Sequence, residues 1–201
     1  MYNEDEKFAN SLIKSGKKYY DRGDFNKALI YYEQAYDLRK QVHAKNLNHS
    51  DIAECLNNIG DCYKLKGLNE KALECYEKSY EIRKKINADN PNHPDIATSL
   101  SNIGTIYYKK GKIDKALENF KKSYEIRKKA YADNTNHPDI AQSLNNIGFV
   151  YDDKGDKNKA FEYYQKSFEI RKTAYADNPN HPDIAQSLNI IGCVYNDKGD
   201  Y

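Results

Sequence analysis

The stretch PDIATSLSNIGTIYYKKGKIDKALENFKKSYEIRKKA, residues 94–130, decides the fold. Pro94 and Asp95, following His93, open a helix. Proline suits the first helical position, and an acid favours the positive end of the helix dipole. Ile96, Leu100, Ile103 and Tyr107 then recur at helical spacing, and Gly111 supplies the left-handed residue that a helix C-terminus often needs. A second helix follows, with Ala116, Leu117, Phe120, Tyr124 and Ile126 on its apolar side and Arg127-Lys128-Lys129 near its negative end. Ala132-Asp133-Asn134-Thr135-Asn136 is a loop before Pro138. Gly104 and Ala116 are expected where the two helices cross, with Tyr107 and Phe120 filling the space beside them.

The same unit is found on both sides of this stretch. Gly16, Gly60, Gly104, Gly148 and Gly192 are 44 residues apart, as are Gly23, Gly67, Gly111, Gly155 and Gly199, and these two series contain all ten glycines. Residues 130–156 and 174–200 agree at 23 of 27 positions, differing at Thr135/Pro179, Asn146/Ile190, Phe149/Cys193 and Asp152/Asn196. One helix pair cannot bury its apolar faces alone, so neighbouring units must stack. The expectation is an all-α, right-handed superhelical solenoid of antiparallel helix pairs over residues 1–201. Its units cover about 8–48, 49–92, 93–136 and 137–180, with a half unit over 181–201. Asp200-Tyr201 stands where another second helix should begin. This predicts a piece of a longer protein whose last first helix (Leu188, Ile191, Val194, Tyr195) lacks its partner, and end-to-end self-association through that uncapped helix.

Leu56, Ile59-Gly60, Tyr63, Gly67, Ala72, Tyr76 and Ser79 resemble the tetratricopeptide repeat consensus. The set recurs as Leu100, Ile103-Gly104, Tyr107, Gly111, Ala116, Phe120 and Ser123, and as Leu144, Ile147-Gly148, Tyr151, Gly155, Ala160, Tyr164 and Ser167. The first unit is looser, with Leu12, Ser15-Gly16, Tyr19, Gly23, Ala28, Tyr32 and Ala35. The family's usual unit has about 34 residues. The extra length here, together with Leu-Asn-Asn-Ile-Gly in the first helix, is similar to the long repeats of kinesin light chains. The resemblance implies that the first helices line a concave groove that takes an extended peptide or a partner helix. Carried over by position, the groove candidates are Asn57, Asn58, Asp61, Lys64, Asn102, Thr105, Tyr108, Asn145, Asn146, Phe149, Asp152 and Asn189. Asparagine offers both donors and an acceptor to a peptide backbone, and its poor helix propensity invites a reason for adjacent pairs beyond folding. Ile190 interrupts the pattern in the last copy. Relatives that clamp a carboxylate use Lys and Arg where this chain has Ile13, Ser101 and Asn145, or Glu54, Thr98 and Gln142, with only Lys14 and Lys64 as cations nearby, so such a clamp is not expected.

Composition narrows the function further. With 32 basic and 30 acidic residues the net charge is +2, which gives no electrostatic case for nucleic acid or an anionic membrane surface. No apolar run is long enough to span a membrane, and the N-terminus is acidic rather than signal-like. Cys55, Cys62, Cys75 and Cys193 show no CxxC spacing, which fits buried free thiols in a reducing, cytoplasmic setting. His49, His93, His137 and His181 are placed one per unit as loop and cap residues rather than as metal ligands. Phosphate-binding loops, nucleophile elbows and facing acid pairs are absent from the sequence, so no catalytic residue, cofactor or metal is expected. The reading is a non-catalytic scaffold for a protein or peptide partner. The alternative is an architectural or sensor repeat segment of a larger signalling protein whose effector domain lies outside this chain.

Overall fold

Local chemistry at the helix ends sets the architecture. In the computed structural model, which describes residues 4–198, His49, His93, His137 and His181 each turn an imidazole Nδ1 back to accept the N–H of the residue two places on, at 3.1–3.3 Å. This satisfies one of the donors that a helix start leaves unpaired. The following helices are α3 (Ser50–Leu65), α5 (Pro94–Lys109), α7 (Pro138–Asp153) and α9 (Pro182–Lys198). The first helix of the chain, α1, spans Glu4–Asp21.

At the other end, Gly111 has φ +70°, its N–H donates to Tyr108 O at 2.8 Å, and Lys112 N–H donates to Tyr107 O at 2.9 Å. These two bonds close the α5 C-terminus and turn the chain back. Gly23, Gly67 and Gly155 adopt the same conformation. Gly199 of that series, with Asp200 and Tyr201, lies outside the described residues. The returning helices are α2 (Phe25–Val42), α4 (Asn69–Ile86), α6 (Ile113–Ala130) and α8 (Lys157–Ala174). The described residues contain these nine helices and no strand.

Contacts divide the chain into two compact units, residues 1–91 and 92–201. In the first, α1 packs on α2, α2 on α3, and α3 on α4. In the second, α5 packs on α6, α6 on α7, α7 on α8, and α8 on α9. A Cβ built on Gly104 would stand 2.8 Å from the Phe120 ring and 3.3 Å from Ala116 O, so the expected crossing of α5 and α6 is where glycine is required. Beside it, Ser123 Oγ donates to Ala97 O at 2.8 Å, and Ser79 and Ser167 donate to Ala53 O and Ala141 O in the same way. These serines and alanines are buried and place the paired helices at a fixed depth.

Each unit has its own apolar core. Ala28, Leu29, Tyr32, Ile59 and Cys62 form one in the first unit, and Ala116, Phe120, Ile147 and Val150 form one in the second. Leu188 and Tyr195 on α9 are about half exposed, while Val194 of the same helix is buried against Ala160 and Tyr164.

Candidate functional site

First-helix residues one or two turns apart share a face, and in both units that face is hollow. Between α7 and α9 is a pocket of about 430 Å³. Phe149, Ile190, Cys193 and Val194 form its apolar floor with Tyr164 of α8, and the side-chain amides of Gln142, Asn146, Gln186 and Asn189 form its rim, with Asn145 beside them in the lining. Asp152, also in the lining, accepts from Lys157 Nζ at 2.7 Å, so its charge is already paired. Phe149 is 50% exposed and touches Tyr108 of α5 at a ring-centroid distance of 5.0 Å.

The sequence candidates in this pocket divide by role. Asn145 is buried: its amide donates to Ser167 Oγ at 2.8 Å and accepts from Arg171 at 3.1 and 3.3 Å. It therefore ties α7 to α8 and shows the pocket only an edge. Asn146 accepts from Gln142 Nε2 at 3.0 Å on the rim, and Asn189 is exposed there. Asn102, Thr105 and Tyr108 are half-buried on α5 and lie outside this lining. Thr105 Oγ1 donates to Ser101 O at 2.9 Å. Burial and the nearby Asp153 carboxylate raise the Tyr108 phenol above its usual range. Ile190, which breaks the Asn pattern, joins the floor instead, and Cys193 is an exposed thiol rather than a buried one because its position follows that of Phe149.

In the first unit the corresponding hollow lies between α1 and α3 and has about 290 Å³. Ile13, Lys17, Tyr20, Asp21, Tyr32, Glu54, Asn58 and Asp61 line it. Asp61 accepts from Tyr76 Oη at 2.7 Å, Lys64 Nζ at 2.6 Å and Asn57 Nδ2 at 3.1 Å. Burial, followed by the Asp61 charge and hydrogen bond, drives the Tyr76 phenol far above its usual range. Asn57, Asp61 and Lys64 are thus one internal network, and Asn58 is the member of the candidate set that lines the hollow beside them.

The arginine at each second-helix C-terminus does more than the sequence indicates. Arg39, Arg127 and Arg171 are buried, at 4%, 6% and 2% exposure. Arg127 donates to Asp139 O at 3.1 Å and Ser143 Oγ at 2.9 Å on α7, and to Thr98 Oγ1 at 3.4 Å on α5. Arg171 makes the matching bonds to Asp183 O, Ser187 Oγ and Gln142 Oε1, and Arg39 to Asp51 O, Cys55 Sγ and Asn10 Oδ1. Each guanidinium therefore joins three helices across a repeat boundary. Burial lowers the pKa of Arg127 and Arg171. For Arg39 burial also acts downward but is outweighed by Cys55, Asp51 and Glu54, whose carboxylate it meets at 2.9 Å, and the net shift is upward. The signal for this role is the polar or sulfur-bearing small residue 16 positions later (Cys55, Ser143, Ser187), readable only with the helix phase known.

Comparisons with known proteins agree with this geometry. The tetratricopeptide repeat family matches residues 7–85 and 51–129, and a second tetratricopeptide repeat pattern matches 140–183. No curated protein sequence matches the chain. A Podosopora anserina structure of nearly identical TPR-like repeats, assigned to a kinesin light chain, is similar over 99% of this chain and 90% of its own, with 20% identity and a TM-score of 0.73. BtubC (BKLC) from P. vanneervenii is similar over 98% of this chain and 84% of its own, with 19% identity and a TM-score of 0.67. The apo form of RapI is similar over 98% of this chain and 71% of its own, with 19% identity and a TM-score of 0.71. This repeat fold is generally a non-catalytic scaffold for protein interactions. The 44-residue helix pairs, their glycine and serine crossings and these matches place the chain in the tetratricopeptide repeat family.

Proposed function

We propose that the protein is a non-catalytic interaction scaffold whose α7–α9 pocket holds an extended segment of a partner protein by an uncharged apolar anchor. The observation that carries this reading is an apolar floor, with Phe149 half exposed, beneath a rim of side-chain amides. A volume of about 430 Å³ falls within the range of ligand pockets, roughly 300–1,000 Å³. It has room for one large apolar side chain and the backbone on either side of it. Burying that side chain drives binding, while Asn146, Gln186 and Asn189 offer donors and acceptors to any backbone. The one carboxylate in the lining is paired with Lys157, so the pocket supplies no net charge for a charged anchor. Among the described residues no helix is long and apolar enough to cross a membrane.

Selection from a random peptide library displayed on phage tests the proposal directly. The expected winners share one aromatic or branched aliphatic residue and no common charge. Their binding is weakened by Phe149→Asp and, less strongly, by Asn146→Ala. Winners defined by a charge pattern, or binding indifferent to Phe149→Asp, would refute the assignment.

A further inference from the structure

The loop between α2 and α3 carries histidine at a position where the others have tyrosine or asparagine. After α6 and α8, Tyr131 and Tyr175 stack on His137 and His181 with ring centroids 3.6 Å apart, and their hydroxyls donate to Asp139 and Asp183 at 3.0 and 3.3 Å. After α2 the residue is His43, which stacks on His49 at the same 3.6 Å. An imidazole is shorter than a phenol, so His43 Nε2 stops 3.8 Å from Asp51 Oδ2 and is buried without a hydrogen-bond partner. His49 Nδ1 lies 3.8 Å from the other oxygen of the same carboxylate. Exchanging tyrosine for histidine has turned a structural hydrogen bond into three donor atoms within 4.8 Å of one another.

We propose that His43, His49 and Asp51 bind a divalent transition-metal ion of the zinc type. Two imidazoles and a carboxylate are a donor set that such ions accept, whereas calcium and magnesium favour oxygen alone. An unpaired buried nitrogen is costly, and a metal ion bridging it to Asp51 would restore the link that the tyrosine hydroxyl makes in the loops after α6 and α8. The two rings lie within 10° of parallel, so their lone pairs lie in separate planes and one ring must turn to meet a common ion. His49 Nδ1 accepts the Asp51 N–H at 3.3 Å and exchanges that long bond for the ion, while His43 Nε2 has no partner to release, so His43 is the ring that turns. The three side chains are 15%, 36% and 28% exposed, which lets an ion enter and water complete its coordination. Arg39, donating to Asp51 O at 2.9 Å, sets a like charge nearby and limits affinity.

The repeat provides its own controls. Tyrosine stands at this position in two other loops and asparagine, as Asn87, in a third, so His43→Tyr and His43→Asn replace the ligand with residues the fold already accepts. The untagged full chain is titrated with Zn²⁺ by calorimetry and with Co²⁺ by visible absorption at pH 7.5. Expected is one ion per chain, binding at least about tenfold weaker in both variants, and a thermal midpoint raised by Zn²⁺ in the parent alone. Should the tyrosine variant prove unstable, the asparagine variant decides. Absence of binding in the parent, or undiminished binding in the folded variants, would overturn the site.

Discussion

The hollow between α1 and α3 and the pocket between α7 and α9 occupy equivalent places in two helix-pair units, yet their chemistry is opposite. The pocket has Phe149 on α7 and Cys193 on α9 where the hollow has Lys17 on α1 and Asp61 on α3. Beneath each lies a buried tyrosine from the intervening helix, Tyr32 of α2 or Tyr164 of α8. In the first unit the Tyr76 hydroxyl of α4 donates to Asp61, and Lys64 and Asn57 complete a closed polar network. In the second the phenylalanine leaves an apolar floor, which Ile190 and Val194 extend. The scaffold is set by glycine, alanine and serine at the crossings, and the face is set by one side chain per repeat. A repeat protein changes its binding chemistry in this way without changing its packing.

The largest effect is expected at what both units have in common. Arg171→Ala removes the bonds to Asp183 O, Ser187, Gln142 and Asn145 that tie α8 to α9 and α7 through one buried side chain. Urea denaturation should show a loss of about 3 kcal/mol; a loss below about 1 kcal/mol would mean that the arginine is not a staple. Next, Asp61→Phe copies the second unit's residue into the first. It strands Tyr76 Oη and Lys64 Nζ, and should cost about 2 kcal/mol in the same measurement.

The reciprocal change, Phe149→Asp, should keep stability within about 1 kcal/mol, because Phe149 is half exposed. Affinity for selected apolar peptides should fall by at least about tenfold, or about 1.4 kcal/mol, by fluorescence anisotropy. The smallest effect concerns alkaline pH. Burial pushes the Cys62 thiol up to about 12, and burial pushes Cys55 up to about 11 against the opposing Arg39 charge. Free thiols of the unfolded chain ionise near pH 8.5. The folded state therefore holds more protons above that pH, and stability falls as pH rises from about 8.5 towards the folded values. Cys62→Val, which copies Val150, should flatten the slope of stability between pH 9 and 11 by less than about 1.4 kcal/mol per pH unit. An unchanged slope would remove this thiol as its source.

Much of the fold is legible because the helix ends are written locally. His93-Pro94-Asp95 and Gly111 specify a start and a stop from side-chain chemistry within a few residues, and the structure uses each as expected. The groove set is legible only in part. Asn145 and Asn146 are adjacent and identical, yet one turns inward to Ser167 and Arg171 while the other stays on the rim. Likewise Arg127, Lys128 and Lys129 are three consecutive cations, of which only Arg127 is buried. Periodicity gives the helix but leaves its phase uncertain by a residue, and one residue is about 100° of rotation.

By itself the sequence determined the repeat, its helix pairs, their crossings and the family, since these rest on spacing and on short-range backbone chemistry. The tertiary structure decided which polar residues serve as interior staples and which face solvent. It also decided that Ile190 and Cys193 join a pocket and that His43 meets Asp51. Those outcomes depend on which neighbour a side chain reaches across a repeat boundary, and that distance is a property of packed helices rather than of the chain read in order.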